Sequence, residues 1–215
     1  MKNNSTSLSQ AFKLYTGVGL PKSIFQLSLL LIWFDVVLLF FMNLADDGDV
    51  SLPVRALSSI ACFMFINLRM MGSYDIGYNA GKFFRTVKEP INIHEKYHIG
   101  TIIESVAMIM VNYLLMAIIY SEIWECIVMA VFMIVIKGLT NLLEFIRKPP
   151  FRVIGLCVLG IMMYIPYIVL LIMLRNGVDF QPEPWYIPVA VLAIAFLVLS
   201  EYIVLKNFRK NWYRD

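Results

Sequence analysis

The sequence predicts an all-α, polytopic membrane protein with six transmembrane helices, and three observations carry that expectation. Apolar runs long enough to cross a bilayer recur six times along 215 residues. Hydrophobic residues make up 60% of the chain and charged residues only 15%. The charges fall mostly between the runs rather than within them. A hydrocarbon core about 30 Å thick takes roughly 20 residues at about 1.5 Å rise per residue. Lipid offers no hydrogen-bond partners, so such segments must be helical, and the short alternating segments of a membrane β-barrel are not seen. The longest gap, around Asp75 to Ile99, is too short to fold as a separate domain, so residues 1–215 read as one transmembrane domain.

In chain order, Leu8, Ala11, Phe12, Tyr15 and Val18 recur at helical spacing with Ser9, Lys13 and Thr16 between them. The spacing predicts a helix over 8–21 lying on the cytoplasmic membrane surface. Gly17 and Gly19 weaken it, and Pro21 is expected to turn the chain into the bilayer. Met1 to Gln10 lacks a basic region joined to an apolar one, so no cleavable signal peptide is expected. Spans are expected at 24–44, 54–74, 100–120, 123–146, 154–174 and 185–205. A cytoplasmic loop, 79–99, separates the second from the third. Within it Asn92, with Glu95 three residues on, predicts an N-cap and capping box where the third spanning helix begins. Beyond the last span, Lys206, Arg209, Lys210 and Arg214 place cations at a helix C-terminus, where they anchor it and suit its dipole.

The charge distribution fixes an orientation. Lys2, Lys13, Lys22, Lys82, Arg85, Lys88, Lys96, Arg147, Lys148, Arg152, Lys206, Arg209, Lys210 and Arg214 fall on one side, and only Arg55 and Arg175 on the other. By the positive-inside rule both termini and the loops after the second and fourth spans are cytoplasmic, in a multi-pass plasma-membrane protein. The opposite loops carry Asp46, Asp47, Asp49, Glu122, Glu125, Asp179 and Glu183, with Trp124, Trp185 and Tyr186 at the level of an outer aromatic belt. Basic residues spread over four segments do not form the aromatic-interleaved patch of a nucleic-acid binder, so that class is excluded. Cys62, Cys126 and Cys157 form no C-x-x-C and read as small apolar fillers.

The segment Lys82, Phe83, Phe84, Arg85, Val87, Lys88, Glu89 and Pro90 says most about function. Two adjacent aromatic rings among cations make an amphipathic knob that suits a protein groove. The alternative is that both rings dip into the lipid interface. Here the chain resembles the permease subunits of ABC-2 type transporters. In that family a cytoplasmic surface helix precedes the first span, and the turn between spans two and three carries a coupling helix. Its pattern is close to F-(F/L)-R-x-(L/V)-x-x-P-I-(S/N)-x-x-(E/K)-(Y/E)-x-x-G. Phe83, Phe84, Arg85, Val87, Pro90, Ile91, Asn92, Glu95 and Gly100 stand in that order.

The resemblance in layout covers nearly the whole chain, and this loop carries the motif. It implies that a soluble ATPase subunit, holding ATP and magnesium, docks on the loop, and that two permeases form the transport path as a homo- or heterodimer. The absence of a large external domain is most like permeases that export peptides or confer immunity to them. The segment Arg175 to Trp185 is shorter than the re-entrant outer segment many members carry. No G-x-x-x-x-G-K-[ST] occurs, which excludes P-loop ATP hydrolysis by this chain. A transporter subunit with no catalytic residue and no cofactor of its own is therefore expected.

A rival reading overlaps the same loop. His94-Glu95-Lys96-Tyr97-His98 is formally H-E-x-x-H, in which two His on one helical face hold zinc while the Glu activates water. It would make the chain a membrane-embedded zinc metalloprotease with a third ligand such as Glu104 or Glu144. Lys96 inside the motif and the lack of a downstream Asp-containing motif count against it.

Charges inside the spans are the remaining candidates. Asp35 lies near the centre of the first and Lys137 in the fourth, while Arg69 and Glu104 lie toward the cytoplasmic ends of the second and third. Asp35 and Lys137 differ in depth by roughly 3 Å, which permits a buried pair. Each intramembrane ion costs at least ~2.5 kcal/mol on insertion scales, so these groups should face protein or a wet translocation path. Asn67, Asn112 and Asn141 suit interhelical hydrogen bonds. Tyr164 and Tyr167, with Met162, Met163 and Pro166, give the fifth span an adaptable surface for packing or for a path wall.

Overall fold

A computed structural model describes residues 7–45, 57–67, 90–120, 123–143, 149–162 and 186–211, together with positions 164, 165, 168, 169 and 172. No strand occurs among the described residues. The helices are α1 (Leu8–Thr16), α2 (Leu20–Ala45), α3 (Leu57–Asn67), α4 (Pro90–Tyr120), α5 (Ile123–Leu142), α6 (Pro149–Met162) and α7 (Tyr186–Asn211). Four are long and apolar enough to cross a membrane: Leu20–Phe40 of α2, Ile91–Ile119 of α4, Ile123–Leu142 of α5 and Tyr186–Asn207 of α7. These correspond to the first, third, fourth and sixth expected spans. α3 is a shorter apolar helix inside the second, α6 is one that starts before the fifth and overlaps its first part, and much of the rest of those two spans lies outside the described residues.

Local chemistry sets the first two helices. Ser7 caps α1, accepting from the Gln10 N–H while the Gln10 side chain accepts from the Ser7 N–H. Gly17 ends the helix in the left-handed region at φ 74°, and its N–H reaches the Lys13 carbonyl at 2.8 Å. A β-carbon is disfavoured at that φ, which explains glycine there. The helix therefore stops at Thr16, short of the expected 8–21. Pro21 falls in the first turn of α2, where a missing N–H costs nothing, so it opens the spanning helix rather than turning the chain before it.

Two further expectations are corrected. The apolar face of α1 is not laid on lipid: Ala11, Phe12 and Tyr15 pack with Ile93 and Tyr97 of α4 and with Leu20. α4 also begins at Pro90, with Asn92 already inside the helix, and the Glu95 side chain turns to Arg209 instead of reaching back as a capping-box partner. At 31 residues α4 is far longer than one crossing needs. Roughly 20 residues suffice for a crossing, so α4 has about ten residues to spare.

Ser23 of α2 meets Glu104 of α4. Ser58 and Ser59 of α3 bond Asn112 and Tyr113, further along α4. α7 is antiparallel to α4, with Glu201 beside His98 and Arg209 beside Glu95. α5 packs on both α4 and α7. At Gly138 an added Cβ would come within 2.6 Å of the Phe196 ring, so the missing side chain is what allows that approach. Leu31, Cys62, Met108, Ile109, Met133 and Ile136 fill the interior. Trp33, Phe40, Ile118, Ile187 and Leu192 stand exposed on the outside, with Ile187 at 72%. So much exposed apolar surface suits lipid and not water, and it is compatible with a membrane-embedded protein.

Candidate functional site

A connected polar group ties α1, α4 and α7 together at one end of the bundle. Helical spacing puts His94 and His98 on one face of α4, and α1 delivers Tyr15 to them. Tyr15 stacks on Tyr97 with ring centroids 4.3 Å apart, and Phe12 packs on the same Tyr97 at 5.8 Å. Gly100 leaves room for Phe12: a β-carbon there would lie 2.6 Å from its ring.

Three contacts then run in series. The Tyr15 hydroxyl is 3.0 Å from His94 Nδ1, His94 Nε2 is 3.0 Å from His98 Nε2, and His98 Nδ1 is 3.4 Å from Glu201 Oε1. One tautomer assignment satisfies all of them. Tyr15 donates to His94 Nδ1, which leaves the His94 hydrogen on Nε2 to be given to His98, whose own hydrogen on Nδ1 faces the Glu201 carboxylate. Burial, and then Tyr97, raises the Tyr15 hydroxyl above the usual tyrosine range, so it stays a donor. Burial, and then His98, holds His94 well below the usual histidine range, so it is neutral at neutral pH.

A second, exposed tie lies beside the first. Arg209 Nη2 donates to Glu95 Oε2 at 2.7 Å, and its Nε donates to Oε1. These hydrogen bonds and the Glu95 charge raise the Arg209 guanidinium further. Further along α4, Ser23 donates to Glu104, and both side chains are buried.

The expected site residues are placed as follows. Arg69, Lys82, Phe83, Phe84, Arg85, Val87, Lys88, Glu89 and Tyr167 lie outside the described residues, and Pro90 is the first residue of α4. Tyr164 is exposed, on the outer surface. Glu104 is committed to Ser23, and Lys137 is buried in α5. Asp35 is fully buried, with Ser58 and Cys62 of α3 as neighbours. The expected Asp35–Lys137 pair is not formed among the described residues, since neither Asp35 oxygen has a hydrogen-bond partner there. Tyr15, Tyr97, Glu201 and Arg209 were not among the expected site residues. Glu201 carried a signal, being a carboxylate inside an apolar run.

The geometry does not suit a zinc protease. The two His Nε2 atoms converge, but they face each other at hydrogen-bond distance. Glu95, which would activate water, has both oxygens engaged by a guanidinium. A catalytic zinc takes three protein ligands, and of the two offered as the third, Glu104 bonds Ser23 while Glu144 lies outside the described residues.

These observations define a helical bundle with four helices able to cross a membrane, clasped at one end by an amphipathic N-terminal helix. Comparison with protein families, curated proteins and solved structures finds no match for the chain.

Proposed function

We propose that the chain is the permease subunit of an ATP-driven ABC exporter, moving a hydrophobic or amphipathic substrate, with peptides the favoured class. In this reading it sits in the plasma membrane with both termini cytoplasmic, pairs with a second permease subunit, and is driven by a soluble ATPase subunit docked on residues 82–90. The observation that carries the reading is the tie of residues 90–99 of α4, which follow the basic aromatic segment directly in sequence, to α1 and α7. A push on 82–90 enters α4 at its end and is shared at once with the first and last helices. Such a lever can switch a packed bundle between two arrangements. The arrangement of basic residues along the sequence supports the sidedness.

Replacing Phe83 and Phe84 together by Ala tests the docking. Desolvated aromatics dominate many interfaces, so the double variant should insert and fold normally while losing the ATPase subunit and substrate export. Undiminished co-purification and export in that variant would reject the proposal. Metal analysis separates the rival: about one zinc per chain, lost in His94→Gln, would favour the protease.

A further inference from the structure

The exposed face of α7 changes character toward the end that carries the clasp. At about 100° of rotation per residue, Ala195, Val198, Leu199, Tyr202, Lys206 and Lys210 fall on one side of the helix, and all of them are exposed. Ala193, Leu197, Glu201 and Val204 fall on the other side and are buried. The exposed stripe is aliphatic as far as Leu199, aromatic at Tyr202 and cationic from Lys206. The apolar stretch able to cross a membrane ends at Asn207, so the change falls at the level of the lipid head groups. From Ala195 to Lys206 the helix rises roughly 16 Å, about the depth of one leaflet of a 30 Å core.

The cations are already oriented. Lys206 Nζ lies 6.0 Å from the centre of the Tyr202 ring. Arg209 falls on the same side of the helix, and Glu95 engages its Nε and Nη2 while the side chain stays 65% exposed. A guanidinium has five N–H donors, so three remain to be offered. No carboxylate among the described residues pairs with Lys206 or Lys210. A head group that carries its own ammonium is repelled by three such cations, whereas one with a net negative charge is not.

We infer that this face of α7 binds one phospholipid with a net-negative head group, its acyl chains beside Val198 and Leu199 and its phosphate at Lys206, Arg209 and Lys210. Because Arg209 also holds Glu95, the bound lipid bears on the tie between α7 and α4. The inference rests on the chain's lying in a bilayer and not on an ATPase partner.

Native mass spectrometry of the purified full chain in neutral detergent tests it by counting bound phosphatidylglycerol and phosphatidylcholine of identical acyl chains. The wild type should take up one phosphatidylglycerol on the order of tenfold more tightly than phosphatidylcholine. The Lys206→Gln, Lys210→Gln variant, altered only at exposed positions, should lose that preference and keep its phosphatidylcholine binding. Lys13→Gln with Lys22→Gln removes two exposed cations from α1 and the start of α2 and should leave the preference intact. Inorganic phosphate at the same concentration should not displace the lipid. Equal binding of the two lipids, or a preference lost as fully in the Lys13, Lys22 variant, would overturn the site, and displacement by inorganic phosphate would overturn its assignment to a lipid. A wild type that binds neither lipid would overturn the membrane reading beneath it as well.

Discussion

Tyr15 shows what one hydroxyl does for the end of the bundle. It donates to His94 Nδ1, which fixes the tautomer whose Nε2–H is given to His98, and its ring stacks on Tyr97. Tyr15→Phe keeps the ring and removes the hydrogen bond, so it should lower stability by about 1–2 kcal/mol. Thermal unfolding in mild detergent measures that loss. His94 adds a pH dependence whose sign follows from its lowered proton affinity. Below the ordinary histidine value of about 6.5 the unfolded chain binds a proton that the folded chain still refuses. The stabilisation is thus complete above about pH 6.5 and is lost as pH falls toward the folded value of His94. Hydrogen exchange of the α1 amides should accelerate on acidification, and His94→Gln should flatten that response. The H-E-x-x-H spacing in the sequence correctly placed His94 and His98 on one helical face. Their partners could not be read from it, because Tyr15 is 79 residues away along the chain and Glu201 lies on a helix whose contact with α4 no local pattern encodes.

At the scale of a helix, α1 separates what periodicity reveals from what it leaves open. Leu8, Ala11, Phe12 and Tyr15 recur as an amphipathic face should, and α1 forms where they recur. Periodicity says that a face is apolar but not whether lipid or protein covers it, and here α4 does. The same limit explains the helix starts. Pro21, expected to turn the chain into the bilayer, lies in the first turn of α2, where a proline loses no hydrogen bond and favours helix entry. Gly100 is the residue on which the α1–α4 contact turns. Gly100→Ala should push Phe12 aside and loosen α1, seen as faster cleavage near residues 8–16 by a protease added on that side, with the membrane-crossing helices unaffected. An α1 that remains equally protected would show that its docking does not depend on this close approach.

For the whole molecule, composition and apolar length made the all-helical bundle and four of its long helices legible, because the bilayer dictates both. Pairing inside the bundle was not legible. Helices apolar on every side give no register, and so Asp35 could be matched to Lys137 by depth although it faces Ser58. On the proposed function, the α1–α4–α7 clasp receives force from a separate ATPase at residues 82–90. The most direct measurement is to isolate the chain from its own membranes in mild detergent and identify its stoichiometric partners by mass spectrometry. The account predicts a soluble P-loop ATPase that stays bound to the wild type and is lost from the Phe83→Ala, Phe84→Ala variant. A chain that purifies with no ATPase, or that holds one equally well without the two aromatic rings, would contradict it.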